Sequence, residues 1–197
     1  MIRKSSLTLL PLALLGMSSV AHAAGYIGLG LGEATVDIET ADFGPGVSTS
    51  VDDSDTSFKL FGGYSFNPNF ALEGGYVDFG EGGARYTDGI DSITEEYEAN
   101  ALYVAAIGII PMNQFHVYGK AGIARWDLDA SVNSTVGLSG SASETGTDLM
   151  YGIGVGFDVT PRITLRGEVE RYSDVGDDDV TGESDIDVIG ITAAMKF

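Results

Sequence analysis

The sequence predicts an all-β protein, an eight-stranded antiparallel up-and-down transmembrane β-barrel with four long outer loops and three short periplasmic turns. Three observations carry this expectation. Eight runs alternate apolar residues with polar residues or glycine at a period of two, as strands with two unlike faces do. The connections between runs alternate long and short, the rhythm of an up-and-down barrel with both termini on one side. The apolar faces are continuous and aromatic-tipped, while the opposite faces carry Gly, Ser, Lys, Glu and Arg. A water-soluble barrel would turn its apolar face inward and its charges outward. In lipid the alternation is required, because only a closed barrel leaves no strand edge unpaired.

The N-terminus predicts the compartment. Arg3 and Lys4 precede an apolar core at 7–15 and then Ala21-His22-Ala23. A charged start, a short apolar core and an A-x-A site read as a cleavable secretory signal peptide over residues 1–23, with the barrel domain over 24–197. The apolar core is too short to span a bilayer as a helix, and no later stretch supplies such a helix. The chain has 10 Lys+Arg against 29 Asp+Glu, a formal net charge of −19. Losing Arg3 and Lys4 with the leader would take it to about −21. Such a chain repels phosphate backbones, so nucleic acid is not an expected partner. Nine Tyr, nine Phe and a 44% hydrophobic share argue against disorder. With no cysteine, the chain must hold together by packing and hydrogen bonds.

The first strand is expected over 25–38, with Ile27, Leu29 and Leu31 facing lipid and Gly28, Gly30 and Gly32 making room inside. Its G-x-G-x-G is no dinucleotide fingerprint, since no helical period follows. Residues 40–55 read as a loop. The second strand, 56–66, sets Phe58, Leu60, Gly62 and Tyr64 against Ser57, Lys59, Phe61, Gly63 and Ser65; Asn67-Pro68-Asn69 then turns the chain. The third, 70–79, places Phe70, Leu72, Gly74 and Tyr76 outward and Ala71, Glu73 and Gly75 inward. After a glycine-rich loop at 80–92, the fourth strand spans about 93–110. Ala101, Tyr103, Ala105, Ile107 and Ile109 form its apolar face, against Glu96, Glu98, Asn100 and Gly108.

Pro111-Met112-Asn113 is the second short turn. The fifth strand, 115–129, has Phe115, Val117, Ala121 and Ile123 outward and His116, Tyr118, Lys120 and Ala124 inward. A Ser/Gly/Thr loop covers 131–145. The sixth strand, 147–160, alternates most cleanly: Leu149, Tyr151, Ile153, Val155, Phe157 and Val159 oppose Asp148, Met150, Gly152, Gly154, Gly156 and Asp158. Thr160-Pro161-Arg162 turns into the seventh, 163–172, which sets Ile163, Leu165 and Val169 against Thr164, Arg166, Glu168 and Glu170. The acidic stretch 173–185 is the last loop. The closing strand, 188–197, turns Ile189, Ile191, Ala193, Met195 and Phe197 to one face.

The run from Leu60-Phe61-Gly62-Gly63-Tyr64 to Asn67-Pro68-Asn69, then Leu72-Glu73-Gly74-Gly75-Tyr76, resembles the barrel of the outer-membrane protein A family and related small porin-family barrels. Tyr118-Gly119-Lys120-Ala121-Gly122 and Thr160-Pro161-Arg162-Ile163-Thr164-Leu165-Arg166-Gly167-Glu168 fit the same pattern. The resemblance implies lumen side chains that pair acid with base, with Glu73, Lys120, Arg166 and Glu168 at the matching positions. It also implies export to the Gram-negative outer membrane. No cell-wall-binding domain is expected after Phe197, and Met195 stands where the assembly signal commonly has an aromatic.

The expected lumen charge network is Lys59, Glu73, Lys120, Arg166, Glu168 and Glu170; the expected membrane girdle is Tyr64, Tyr76, Tyr103, Tyr151, Phe157 and Phe197. An eight-stranded interior is just wide enough for side chains, so paired charges would plug it. No catalytic, cofactor-binding or metal-binding residues are expected. His116, the sole histidine after the leader, sits by a short turn, far from loop nucleophiles and without neighbours at ligand spacing. The acidic loop lacks the EF-hand register, which leaves solvated charge, exchanging cations with lipopolysaccharide, or Ca²⁺ binding. Expected partners are outer-membrane lipid and lipopolysaccharide, and the barrel-assembly machinery through the strand ending at Phe197, with the barrel monomeric. The function classes left open are a structural or surface-interaction protein, a narrow channel, and a lipid-modifying enzyme.

Overall fold

The computed structural model describes residues 24–36, 48–52, 54–87, 92–134, 139–177 and 182–197; the expected signal peptide lies outside them. Among the described residues the chain forms strands β1 (Ala24–Val36), β2 (Ser48–Asp52), β3 (Ser54–Asn67), β4 (Phe70–Thr87) and β5 (Ser92–Met112). They continue as β6 (Phe115–Ser134), β7 (Ser139–Asp158), β8 (Ile163–Asp177) and β9 (Gly182–Lys196). Eight of these are staves, each antiparallel to its neighbours, and β4 pairs with β5 to close the ring. The terminal strands meet, Leu29 lying opposite Ala193, so within the closed ring no stave is left at an open edge.

The short turns follow local side-chain chemistry. Asn67 Oδ1 accepts the Asn69 backbone N–H at 2.8 Å. Thr160 Oγ1 accepts the N–H of Ile163 at 2.9 Å. Between β5 and β6 the turn falls on Asn113 and Gln114, one step later than expected, with Pro111 and Met112 still in the strand. Asn113 adopts φ +59°, the left-handed region that Asn tolerates best after Gly.

The expected loops are mostly hairpin. β4 and β5 stay paired to Thr87 and Ser92, β6 and β7 to Asn133 and Ser139, β8 and β9 to Asp177 and Gly182. Within the stretch expected as a loop at 40–55, β2 pairs with the upper end of β4. Polar, glycine-rich composition marked these stretches as irregular, yet strand pairing already running in the barrel continues through them because each new residue extends an existing ladder. Two bulges mark where barrel becomes hairpin. One lies between Asp78 and Glu81, with Gly80 at φ +79°; the other lies between Tyr172 and Val175, with Asp174 at φ +55°. Each inserts an extra residue, which bends and twists its strand.

The burial pattern alternates along the staves, with one face buried and the other exposed. On the exposed face, the row from Leu149 to Val159 is apolar. At about 3.3 Å per residue it runs about 33 Å along the strand, or about 25 Å along the axis for a tilt of about 40°, which is the height of a lipid-facing band. Above it lies a ring of outward polar residues in cross-strand pairs: Glu33 with Thr56, Asp78 with Asn100, Arg125 with Thr147, and Arg171 with Asp187.

One face assignment from the sequence is wrong. Ala101, Tyr103, Ala105 and Ile107 point inward, and Leu102, Val104 and Ile110 outward. Tyr103 is 3% exposed and is a lumen residue, so it leaves the girdle. Glu96, Glu98 and Asn100 face outward in the hairpin above the lipid band, where polarity signals water outside the barrel rather than a polar lumen.

Candidate functional site

The barrel lumen brings together all six charged residues expected there. Lys59 on β3, Glu73 on β4, Lys120 on β6 and Arg166, Glu168 and Glu170 on β8 are all buried. Three cations face three carboxylates. Lys59 Nζ lies 2.9 Å from Glu168 and 2.5 Å from Glu170. Lys120 Nζ is 2.9 Å from Glu168, 3.4 Å from Glu73 and in direct contact with Glu170. Arg166 Nη1 is 2.8 Å from Glu73. Lys120 thus touches every carboxylate, while Arg166 depends on Glu73 alone among them.

Four tyrosines complete the network. Tyr26 and Tyr103 donate to the two oxygens of Glu73 at 3.0 and 2.9 Å. Tyr118 donates to Glu168 at 2.7 Å and Tyr172 to Glu170 at 3.2 Å. Every lumen carboxylate therefore accepts from both a cation and a phenol, as burial of ionic groups demands. The guanidinium of Arg166 also lies 4.9 Å from the ring centre of Tyr26 and 5.3 Å from that of Phe61. Sequence reasoning placed Tyr118 inward but gave no role to Tyr26 or Tyr172; both sit at the inward parity of their strands, which was the available signal.

The rings fit because glycine stands opposite them. Gly63 is the cross-strand partner of Tyr26, and a Cβ there would sit 2.3 Å from the ring. Gly154 is the partner of Tyr118, where a Cβ would sit 2.4 Å from the ring. The inward glycines thus make room for aromatic rings laid across the neighbouring strand.

Outward of this network the interior turns apolar. Phe79 packs edge-on to Tyr172 with ring centres 4.8 Å apart, and Val77, Trp126, Met150, Val175 and Ile186 are buried around them. Trp126 Nε1 donates to Asp148 at 2.7 Å. At the opposite end, Lys196 pairs with Asp158 at 2.9 Å, and Thr164 donates to the same oxygen at 2.5 Å. His116 is half-buried at that end, tilted against the Tyr118 ring and opposite Gly156. Two buried polar atoms, Arg166 Nε and Thr192 Oγ1, have no hydrogen-bond partner among the described residues. No group of three His, Cys, Asp or Glu able to hold a metal occurs among them either.

The remaining girdle residues lie on the outer surface. Tyr64, Phe157 and Phe197 sit toward the short turns, and Tyr76 and Tyr151 toward the hairpins. At the turn end the sequence reading overlooked Phe66, Phe70 and Phe115 as girdle members. Phe66 stacks with Phe70 at 5.7 Å and Phe115 tilts against Phe157 at 4.8 Å. Phe66 and Phe115 flank short turns, the signal that could have found them.

At the outer rim, Arg171 clamps Asp187 through Nε at 2.6 Å and Nη2 at 2.5 Å, and reaches Asp185 at 3.0 Å. This guanidinium holds the Asp187 carboxyl below the usual carboxylate range. Asp55 is also held low, by the backbone N–H groups of Glu81 and Thr56.

Residues 21–197 match the family described as OmpA-like transmembrane domain. Outer membrane protein A of Shigella flexneri is 27% identical over 139 residues, 70% of this chain and 39% of that protein. The match therefore spans about two fifths of the length of this curated relative. Neisserial surface protein A superposes with a TM-score of 0.55 at 17% identity, over 89% of this chain and 99% of that one. Ail, the attachment invasion locus protein of Yersinia pestis, superposes with a TM-score of 0.51 at 17% identity, over 89% and 97%. The chain belongs to the OmpA-like transmembrane domain family and is an integral β-barrel protein of the Gram-negative outer membrane.

Proposed function

We propose that this barrel is a closed structural element that carries acidic hairpins to the cell surface for interaction, rather than a conduit. The observation that carries this reading is the matched set of three lumen cations and three lumen carboxylates, each carboxylate also held by a tyrosine. A passing ion would have to break several buried contacts and then cross the apolar layer around Phe79 and Trp126. Lipid and lipopolysaccharide surround the apolar band, and β9 with its terminal aromatic Phe197 serves recognition by the barrel-assembly machinery. The barrel works as a monomer.

The test is planar-bilayer conductance of the purified barrel. Silence supports the closed reading, and a reproducible single-channel step overturns it. The competing narrow channel draws on Arg166 Nε and Thr192 Oγ1, whose unpartnered buried atoms leave polar room for water. A lipid-modifying role has the least support. His116 lies at the turn end, beside Tyr118 and Gly156, away from the outer hairpins.

A further inference from the structure

The outer hairpins do not pair with one another all the way round. β5 and β6 stay paired to Ile93 and Ser134, and β6 and β7 to Asn133 and Ser139. β7 and β8 pair only from Asp158 opposite Thr164 up to Met150 opposite Tyr172. Beyond that point the bulge at Tyr172–Val175 takes β8 away, and it follows β9 instead. Among the described residues nothing pairs with the β8-side edge of residues 139–149. That edge is about 34 Å long at about 3.4 Å per residue, and every second residue turns its N–H and C=O away from β6.

Free edges are ordinarily blunted by Lys, Pro or a bulge. Residues 139–149 contain no Lys, Arg or Pro. Ser139, Ser141, Ser143, Thr145 and Thr147 form an exposed row of small hydroxyls on the outward face, with Ser143 donating to Asp129, while the charged side chains of the stretch, Glu144 and Asp148, lie on the other face, where Asp148 accepts from Trp126. The next strand adds Asp127 and Asp129, and β5 adds Glu96 and Glu98. Of the nearby cations, Arg171 is engaged by Asp185 and Asp187, and Arg125, opposite Thr147 with its Nη2 3.5 Å from Thr145 Oγ1, is outnumbered by the carboxylates on its face.

We propose that this edge receives an extended cationic peptide segment as an added antiparallel strand. The backbone ladder supplies affinity and the acidic surroundings select positive side chains at alternate positions. A second copy of the chain fits less well, because β7 set against itself brings Glu144 and Asp148 toward their own counterparts. A polyanion is repelled by the same carboxylates. The proposal rests on the surface-interaction reading above.

The experiment uses the whole barrel in phosphatidylcholine nanodiscs. The probe is a ten-residue peptide of alternating Thr and Lys, with a Thr-Glu peptide of equal length as control. Binding is followed by fluorescence anisotropy and by amide hydrogen exchange at 139–149, with conductance measured on the same preparation. The expected result is binding of the Thr-Lys peptide alone, with exchange of alternate β7 amides slowed about tenfold or more. Asp127→Asn and Asp129→Asn together should weaken binding about fivefold, at about two- to threefold per exposed charge pair.

Equal binding of the Thr-Glu peptide overturns the proposal. So does binding of the Thr-Lys peptide that leaves the β7 amides unprotected. Protection of those amides without peptide, in discs holding two barrels, assigns the edge to a second copy and overturns it too. A silent barrel that binds no peptide removes the edge assignment while the closed reading stands. A conducting barrel removes the closed reading, and slowed β7 exchange in that barrel still upholds the edge.

Discussion

Glu73→Gln takes away one of three lumen carboxylates while keeping one acceptor oxygen for the hydroxyls of Tyr26 and Tyr103, the other hydroxyl turning to accept from the new amide N–H. The substitution leaves three cations facing two anions. Arg166 loses its single carboxylate partner, at 2.8 Å, and Lys120 loses a weaker one at 3.4 Å. Removing one partner of a buried ion pair costs about 3–5 kcal/mol, because the other charge is left without compensation. Adding Arg166→Met restores the balance to two cations and two anions and removes the group most exposed to the loss. The double variant should therefore recover about 1–3 kcal/mol relative to the sum of the single losses. Adding Lys120→Met should recover less, since Lys120 also contacts Glu168 and Glu170. The assay is urea unfolding of the four corners of each cycle in the same detergent, read by tryptophan fluorescence from Trp126. Additive losses in both cycles would refute the shared network. A sharp rise in conductance of Glu73→Gln would show that the ion pairs gate a path.

Ile153→Arg, at the middle of the apolar row, should lower folding yield in lipid far more than Ser65→Arg, since an Arg at the bilayer midplane costs about 2–4 kcal/mol, and Leu72→Arg, opposite Tyr64 and nearer the turn-end interface, should cost less than Ile153→Arg; equal yields for Ile153→Arg and Ser65→Arg would show the outer face is misassigned. Gly154→Ala should push the Tyr118 ring off its seat and detach its hydroxyl from Glu168, destabilising the barrel by about 1–3 kcal/mol in urea unfolding; an unchanged midpoint would show the ring has slack. Asp55 titrates below its ordinary range, so the order it lends to the turn at Glu81 should be complete above about pH 4 and be lost as pH falls through its lowered value. Protection of the Glu81 amide against exchange checks this, and Asp55→Asn should show the low-pH protection at neutral pH. Gly80→Ala should do the same, because a Cβ there meets the Asp55 carboxylate at 2.5 Å on a left-handed backbone.

Much of the fold was legible because lipid and lumen are such different solvents. Ile27, Leu29 and Leu31 against Gly28, Gly30 and Gly32, or Leu149 to Val159 against Asp148 to Asp158, declare two faces with a period of two, and the short turns at Asn67 and Thr160 carry their own chemistry. Number of staves, connection rhythm and the inward position of six charges all follow from that alternation. The reading failed on β5, where both faces are apolar within the band and the polar residues Glu96, Glu98 and Asn100 stand above it in water. One strand alone does not say where the lipid ends; the neighbours that set its height do.

Contacts across the lumen were decided by closure alone. Lys59 and Glu170 are 111 residues apart in sequence, and Tyr26 and Glu73 are 47 apart. Alternation assigns each of them to the interior, but which acid meets which base depends on strand tilt and stagger around the ring. The same holds for glycines seated under Tyr26 and Tyr118, and for the β7 edge left open where a bulge sends β8 after β9. Period-two polarity is a local property written into each strand, whereas partner choice across a barrel is set by registers that exist only once all eight staves are joined.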